Sequence, residues 1–228
     1  MKKAALIVLA CLAVFALNPC ADALTIGVNS NSTAGVVVKS TVTGTAITIN
    51  ETWNSMGILF LEFNGLADWT NYTVTKNIIN NTGFGWTSFA NELLDPAGKG
   101  NDIGDPAPPP SFVPSGFTTS NDNDGLSFAQ STQDFPDILR TSSVFHLLLA
   151  DETTDVRDFI DFFGDTWLTG SAGTISYGLR DRLTGDNQPF LLAQRPNALS
   201  KEVPEPATML LLGAGLLGLA ACRRKFNK

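Results

Sequence analysis

Polar and apolar residues alternate with a period of two over much of the stretch from Leu24 to Val203, the pattern of strands with one face buried. Leu24, Ile26 and Val28 begin it, and Val36–Val38 is a short apolar run. Thr41–Trp53 reads as one long strand, with Ile47, Ile49 and Trp53 on one face and Thr48 and Thr52 on the other. Gly57–Phe63 (GILFLEF) is apolar on both faces, which suits a strand covered on both sides. Thr70–Ile79 alternates again and places Tyr72, Val74 and Ile78 together. Asn80-Asn81-Thr82-Gly83 is a turn signal, because Asn and Gly tolerate positive φ. Gly85–Leu94 fits a helix through Trp86, Phe89 and Leu93, and a strand through Phe89, Asn91 and Leu93. Its Trp, Thr and Phe favour the strand.

Five prolines between Pro106 and Pro114 make Asp95–Ser120 a stiff surface connection, since proline removes backbone donors and fixes φ. The pattern resumes at Leu126 and Phe128, then at Ser143–Ala150, which reads as a buried strand. In Asp151–Asp165, Val156, Phe159, Ile160 and Phe163 fall at helical spacing with acidic residues between them. That predicts a short amphipathic helix capped by Thr154 and closed by Gly164. Thr174–Leu179 and Phe190–Ala193 complete the strands. The expected fold is all-β: an antiparallel, jelly-roll-like β-sandwich of about eight to ten strands with one short helix.

The two ends depart from this pattern. Lys2 and Lys3, the apolar Ala4–Leu17 and the small-x-small triplet Ala21-Asp22-Ala23 form a secretory signal peptide, residues 1–23, cut after Ala23. Lipidation at Cys20 is disfavoured by the preceding Asn18-Pro19. At the other end, Pro204, Glu205 and Pro206 precede an apolar run, Ala207–Cys222, and then Arg223, Arg224 and Lys225. The run has 16 residues, about 24 Å as a helix and short of a ~30 Å hydrocarbon core. The basic cluster after it acts as a cytoplasmic stop signal and leaves the preceding chain outside. This order of triplet, apolar run and basic tail resembles the PEP-CTERM sorting signal of bacterial envelope proteins. The resemblance implies an exosortase-like membrane protease as partner, an inner-membrane intermediate held by helix 207–222, and an association with exopolysaccharide or biofilm. Asn71–Asp95 is also similar to a segment found in PEP-CTERM secreted proteins. The chain therefore divides into a signal peptide, an extracytoplasmic domain over 24–200, and a sorting segment over 201–228.

Charge and cysteine narrow the chemistry. Leu24–Val203 carries nine basic and 20 acidic residues, a balance of −11, which opposes binding to nucleic acid. Cys11, Cys20 and Cys222 all lie outside it, so this domain has no disulfide. His146 is the single histidine and sits in an apolar stretch, which reads as packing; no Gly-x-Ser-x-Gly elbow accompanies it. No catalytic residue is assigned. Asp122 and Asp124, in Asn121–Gly125, are calcium candidates, although the positions for an EF-hand register are wrong and a polar turn is the simpler reading. No other cofactor is expected. Trp53, Trp69, Trp86 and Trp167 serve either a core or a sugar-stacking face. The expected function is a non-enzymatic exported surface or matrix protein. A carbohydrate-binding module and a β-sandwich glycosidase using paired carboxylates are the alternatives.

Overall fold

The computed structural model describes residues 23–98, 110–121, 125–129, 138–151, 157–182 and 189–198. These residues form thirteen strands in two sheets, and no helix occurs among them. The first sheet contains β1 (Thr25–Val28), β4 (Leu59–Asn64), β13 (Phe190–Ala198), β6 (Trp86–Pro96), β11 (Phe159–Trp167) and β10 (Leu147–Asp151), in that order. The short β7 (Phe117–Thr119) also pairs with β6. The second sheet runs β2 (Val36–Thr43), β3 (Ala46–Trp53), β5 (Tyr72–Asn80), β12 (Ala172–Asp181) and β8 (Leu126–Ser127), with β9 (Thr141–Ser142) beside β12.

The sandwich is therefore all-β as expected, but it is not wholly antiparallel. β3 and β5 pair in parallel, Ala46 opposite Thr73 through Trp53 opposite Asn80. The cause is the chain path. After β3 the chain crosses to the first sheet to make β4, then returns to make β5. An up-down-up course that visits the other sheet in the middle brings its first and third strands together pointing the same way.

Two further expectations are corrected. Thr41–Trp53 is a hairpin, not one strand: Thr43 pairs with Ala46 across a two-residue loop whose first residue, Gly44, has φ of 58°. The region predicted to be a helix contains strand β11 instead, while Thr154 and Val156 lie outside the described residues. Ile160 and Phe162 point into the core, and Phe159 and Phe163 lie on the other face, half-buried. Apolar residues on both faces of a strand can reproduce a helical spacing, and here they do. Gly164, at φ of 93°, then marks an irregularity between Phe163 and Trp167 in the pairing with β6.

The principal core lies between the sheets. Ile47, Ile49 and Trp53 from β3 and Val74 and Ile78 from β5 meet Leu59, Leu61 and Phe63 from β4 and Trp86, Phe89 and Leu93 from β6. A smaller cluster on the outer face of the first sheet, Phe60, Leu94, Leu191 and Ala193, is covered by Phe112, Val113 and Phe117. The described part of the proline-rich connection is thus a clasp over one sheet. Ser143–Ala150 is not the buried strand expected. β10 is an edge strand on which Leu147, Leu148 and Leu149 are all exposed, and His146 is exposed beside it.

Candidate functional site

The alternation that builds β3 and β5 carries two charged residues into the interior. Glu51 lies between Ile49 and Trp53 on the inward face of β3, and Lys76 between Val74 and Ile78 on that of β5. Both side chains are fully buried, and Lys76 Nζ is 3.3 Å from Glu51 Oε1. The Trp53 indole donates to Glu51 Oε2 at 3.0 Å. From the opposite sheet, the buried Asn91 of β6 turns its Oδ1 to accept from Lys76 Nζ at 3.3 Å. The Phe89 ring lies beneath the same amine, 4.7 Å from Nζ to its centroid. Burial pulls the Lys76 amine down to about 8, with Glu51 opposing the shift.

More polar groups share this interior. Gln194 of β13 pairs in register with Asn91, is fully buried, and has no hydrogen-bond partner among the described residues at either atom of its amide. The Tyr177 hydroxyl is also buried, without a partner among the described residues; burial first, and the Glu51 charge second, hold it well above its ordinary value. A buried amine that touches a carboxyl on one side and a carboxamide on the other is a chemically competent set. Sequence reasoning singles out neither Glu51 nor Lys76, although each stands as a polar residue at an inward position of an otherwise apolar face.

A second charged group lies on the outer face of the first sheet. The buried Glu92 accepts from Arg157 Nε and from Arg195 Nη2, each at 2.6 Å. The Arg195 guanidinium stacks 3.7 Å from the centroid of Phe112. Burial raises the Glu92 carboxyl above its usual range, with the two arginines pulling the other way. This fork fastens the 110–117 segment over the sheet, a structural task. On the outer face of the second sheet, a shallow groove of about 360 Å³ crosses β3, β5 and β12, edged by Asn50, Thr52, Asn77, Ile79 and Thr174.

The residues singled out in the sequence are not gathered here. Ala23 is exposed just before β1, and Ala21 lies outside the described residues. So do Pro204, Glu205, Pro206, the 207–222 run, and Arg223, Arg224 and Lys225. Asp122 and Asp124 are likewise outside; among the described residues, no three of His, Cys, Asp and Glu cluster as a metal site would require. No helix among those residues is long and apolar enough to cross a membrane. Trp53, Trp86 and Trp167 are fully buried, and only Trp69 is exposed, so three of the four sugar-stacking candidates belong to the core.

Comparison with known proteins identifies one segment. The family model of the PEP-CTERM protein-sorting motif matches residues 202–225. The match covers the triplet, the apolar run and the basic residues together, and it implies an exported chain sorted through an exosortase, a membrane protease. Neither a curated protein nor a solved structure matches the chain.

Proposed function

We propose that this chain, which carries a PEP-CTERM sorting motif, is a non-enzymatic structural protein of the cell surface or extracellular matrix. Its 24–200 domain crosses by the general secretory route and is held for a time by the 207–222 helix. An exosortase-like protease then cuts near Pro204-Glu205-Pro206 and passes the domain to the surface or the medium. The observation that carries this reading is the sorting motif at 202–225, joined to an acidic β-sandwich with no cysteine between residues 24 and 203. A balance of −11 suits a soluble body that stays off anionic membrane surfaces after release.

Association with exopolysaccharide belongs to the same reading, and the burial of three tryptophans changes where contact would occur. The groove edged by Asn50, Thr52, Asn77 and Thr174 offers amide and hydroxyl groups on an open face, and Trp69 is the one exposed indole. The experiment is deletion of the gene, followed by measurement of matrix mass and cell aggregation. Loss of cohesion that is restored by the intact gene, but not by one lacking residues 202–228, is the expected result. Unchanged matrix and aggregation in the deletion strain would contradict the structural role.

A further inference from the structure

Burying a lysine and a glutamate in the middle of a sandwich is costly, because an ion pair rarely recovers the hydration that both groups lose. Lys76 and Glu51 are nevertheless among the most buried side chains of the domain, and the third group touching the amine is a carboxamide from the opposite sheet. An amine and a carboxamide are the two halves of a secondary amide. We propose that Lys76 and Asn91 become covalently joined by an intramolecular isopeptide bond, formed in the folded domain with Glu51 as the proton carrier.

The geometry provides the amine, a carboxylate to take its proton and the acyl group to receive it. Glu51 Oε1, 3.3 Å from Nζ, is placed to take a proton from the ammonium and free the lone pair of the amine. Burial has already brought the amine down to about 8, so on the order of a tenth of it is neutral at pH 7. Asn91 Oδ1 is 3.3 Å from Nζ, and its carbonyl carbon lies one C=O bond of about 1.2 Å behind that oxygen, so a turn of the Asn91 carboxamide is what presents the carbon to the amine's lone pair. The Phe89 ring below and the Trp53 indole on Glu51 hold amine and carboxyl in place.

The bookkeeping of atoms closes without any added reagent. The Nζ lone pair forms a bond to Asn91 Cγ, and the carbonyl π pair moves to Oδ1, which receives the proton held by Glu51. Glu51 next removes a proton from Nζ and passes it to Nδ2. The Cγ–Nδ2 bond breaks, and its electron pair leaves with nitrogen as ammonia. The carbonyl reforms as Oδ1 returns its proton to Glu51. Ammonium, carboxylate and carboxamide thus become a secondary amide, a neutral carboxyl and free ammonia. No oxidant or reductant takes part, and no isolated buried charge remains.

The bond ties β5 of one sheet to β6 of the other, 15 positions along the chain. It supplies the cross-link that a cysteine-free exported domain otherwise lacks.

The test is peptide mapping of the purified full chain after denaturation. Trypsin cannot cut after an acylated lysine, so residues 40–99 are expected as one species, about 17 Da lighter than their sequence through loss of ammonia. A further cut after Phe84 or Trp86 should leave the two arms joined. Unlinked peptides 40–76 and 77–99, with an unmodified Lys76, would overturn the proposal whatever any variant does. Glu51→Gln keeps the side-chain size and is expected to yield separate peptides while its far-ultraviolet circular dichroism stays that of the wild type. A wild-type level of linkage in Glu51→Gln would remove Glu51 as the carrier, and linkage in Asn91→Leu would remove Asn91 as the acyl donor.

Discussion

Replacing Lys76 with alanine is expected to lower the stability of the domain by about 3–5 kcal/mol, since it removes the link to Asn91 and leaves a cavity beside the buried Glu51. For a domain of this length that is a fall in melting temperature on the order of 10 °C. The informative contrast is a second variant that changes both partners, Glu51→Leu with Lys76→Met. Were the pair only an ion pair, apolar replacement would be neutral or stabilising. With the isopeptide in place, the double variant still loses the cross-link, which for a closed loop of this length contributes about 3 kcal/mol. Urea unfolding of the three proteins separates the cases. Proton linkage gives an independent reading. In Asn91→Leu, Lys76 remains an amine held at about 8 when folded, against an ordinary 10.5. Between those values the unfolded chain binds the extra proton, so stability rises with pH by about 1.4 kcal/mol per unit and is lost as pH falls through 8. The linked wild type has no amine there and lacks that rise.

Trp86→Ala should be as damaging for a different reason. Its ring lies 5.6 Å from Trp53, 5.6 Å from Phe89 and 5.7 Å from Trp167, and its indole donates to Thr82 Oγ1 at 3.0 Å. It is fully buried, so truncation opens a cavity at the meeting point of both sheets. Such losses cost about 3–5 kcal/mol. The expected signature is a lower urea midpoint with an unchanged slope, because the surface exposed on unfolding hardly alters. Trp69→Ala, at an exposed position, should leave the midpoint almost where it was.

Strands with one wet face were legible in the sequence, as β3 and β5 show, and the doubly apolar β4 was recognisable for what it is. β11 was not, because its outward Phe159 and Phe163 are apolar and half-buried, and apolar residues on both faces of a strand imitate a helical spacing. β10 misled in the opposite sense: its leucines look like core, yet the strand falls at the edge of a sheet, and pairing order is a property of the whole fold. The interior polar cluster could have been found by parity alone. Counting by twos from Ile47 and Ile49 reaches Glu51 before Trp53, and from Tyr72 and Val74 reaches Lys76 before Ile78. What the count cannot show is that Asn91 meets them, since that depends on how the two sheets stack.

The sorting segment was legible from its composition, because its task is to be read as a short stretch of chain by other proteins. A local address is thus joined to a body whose interior chemistry is a matter of tertiary contact. On the proposed route the body is released from the address. The direct measurement is the C-terminal peptide, identified by mass spectrometry, of the protein recovered outside the cell. The expected peptide ends within or before Pro204-Glu205-Pro206 and contains nothing of Ala207–Lys228. Extracellular protein that still carries the apolar run and its basic tail would contradict release by cleavage at this segment.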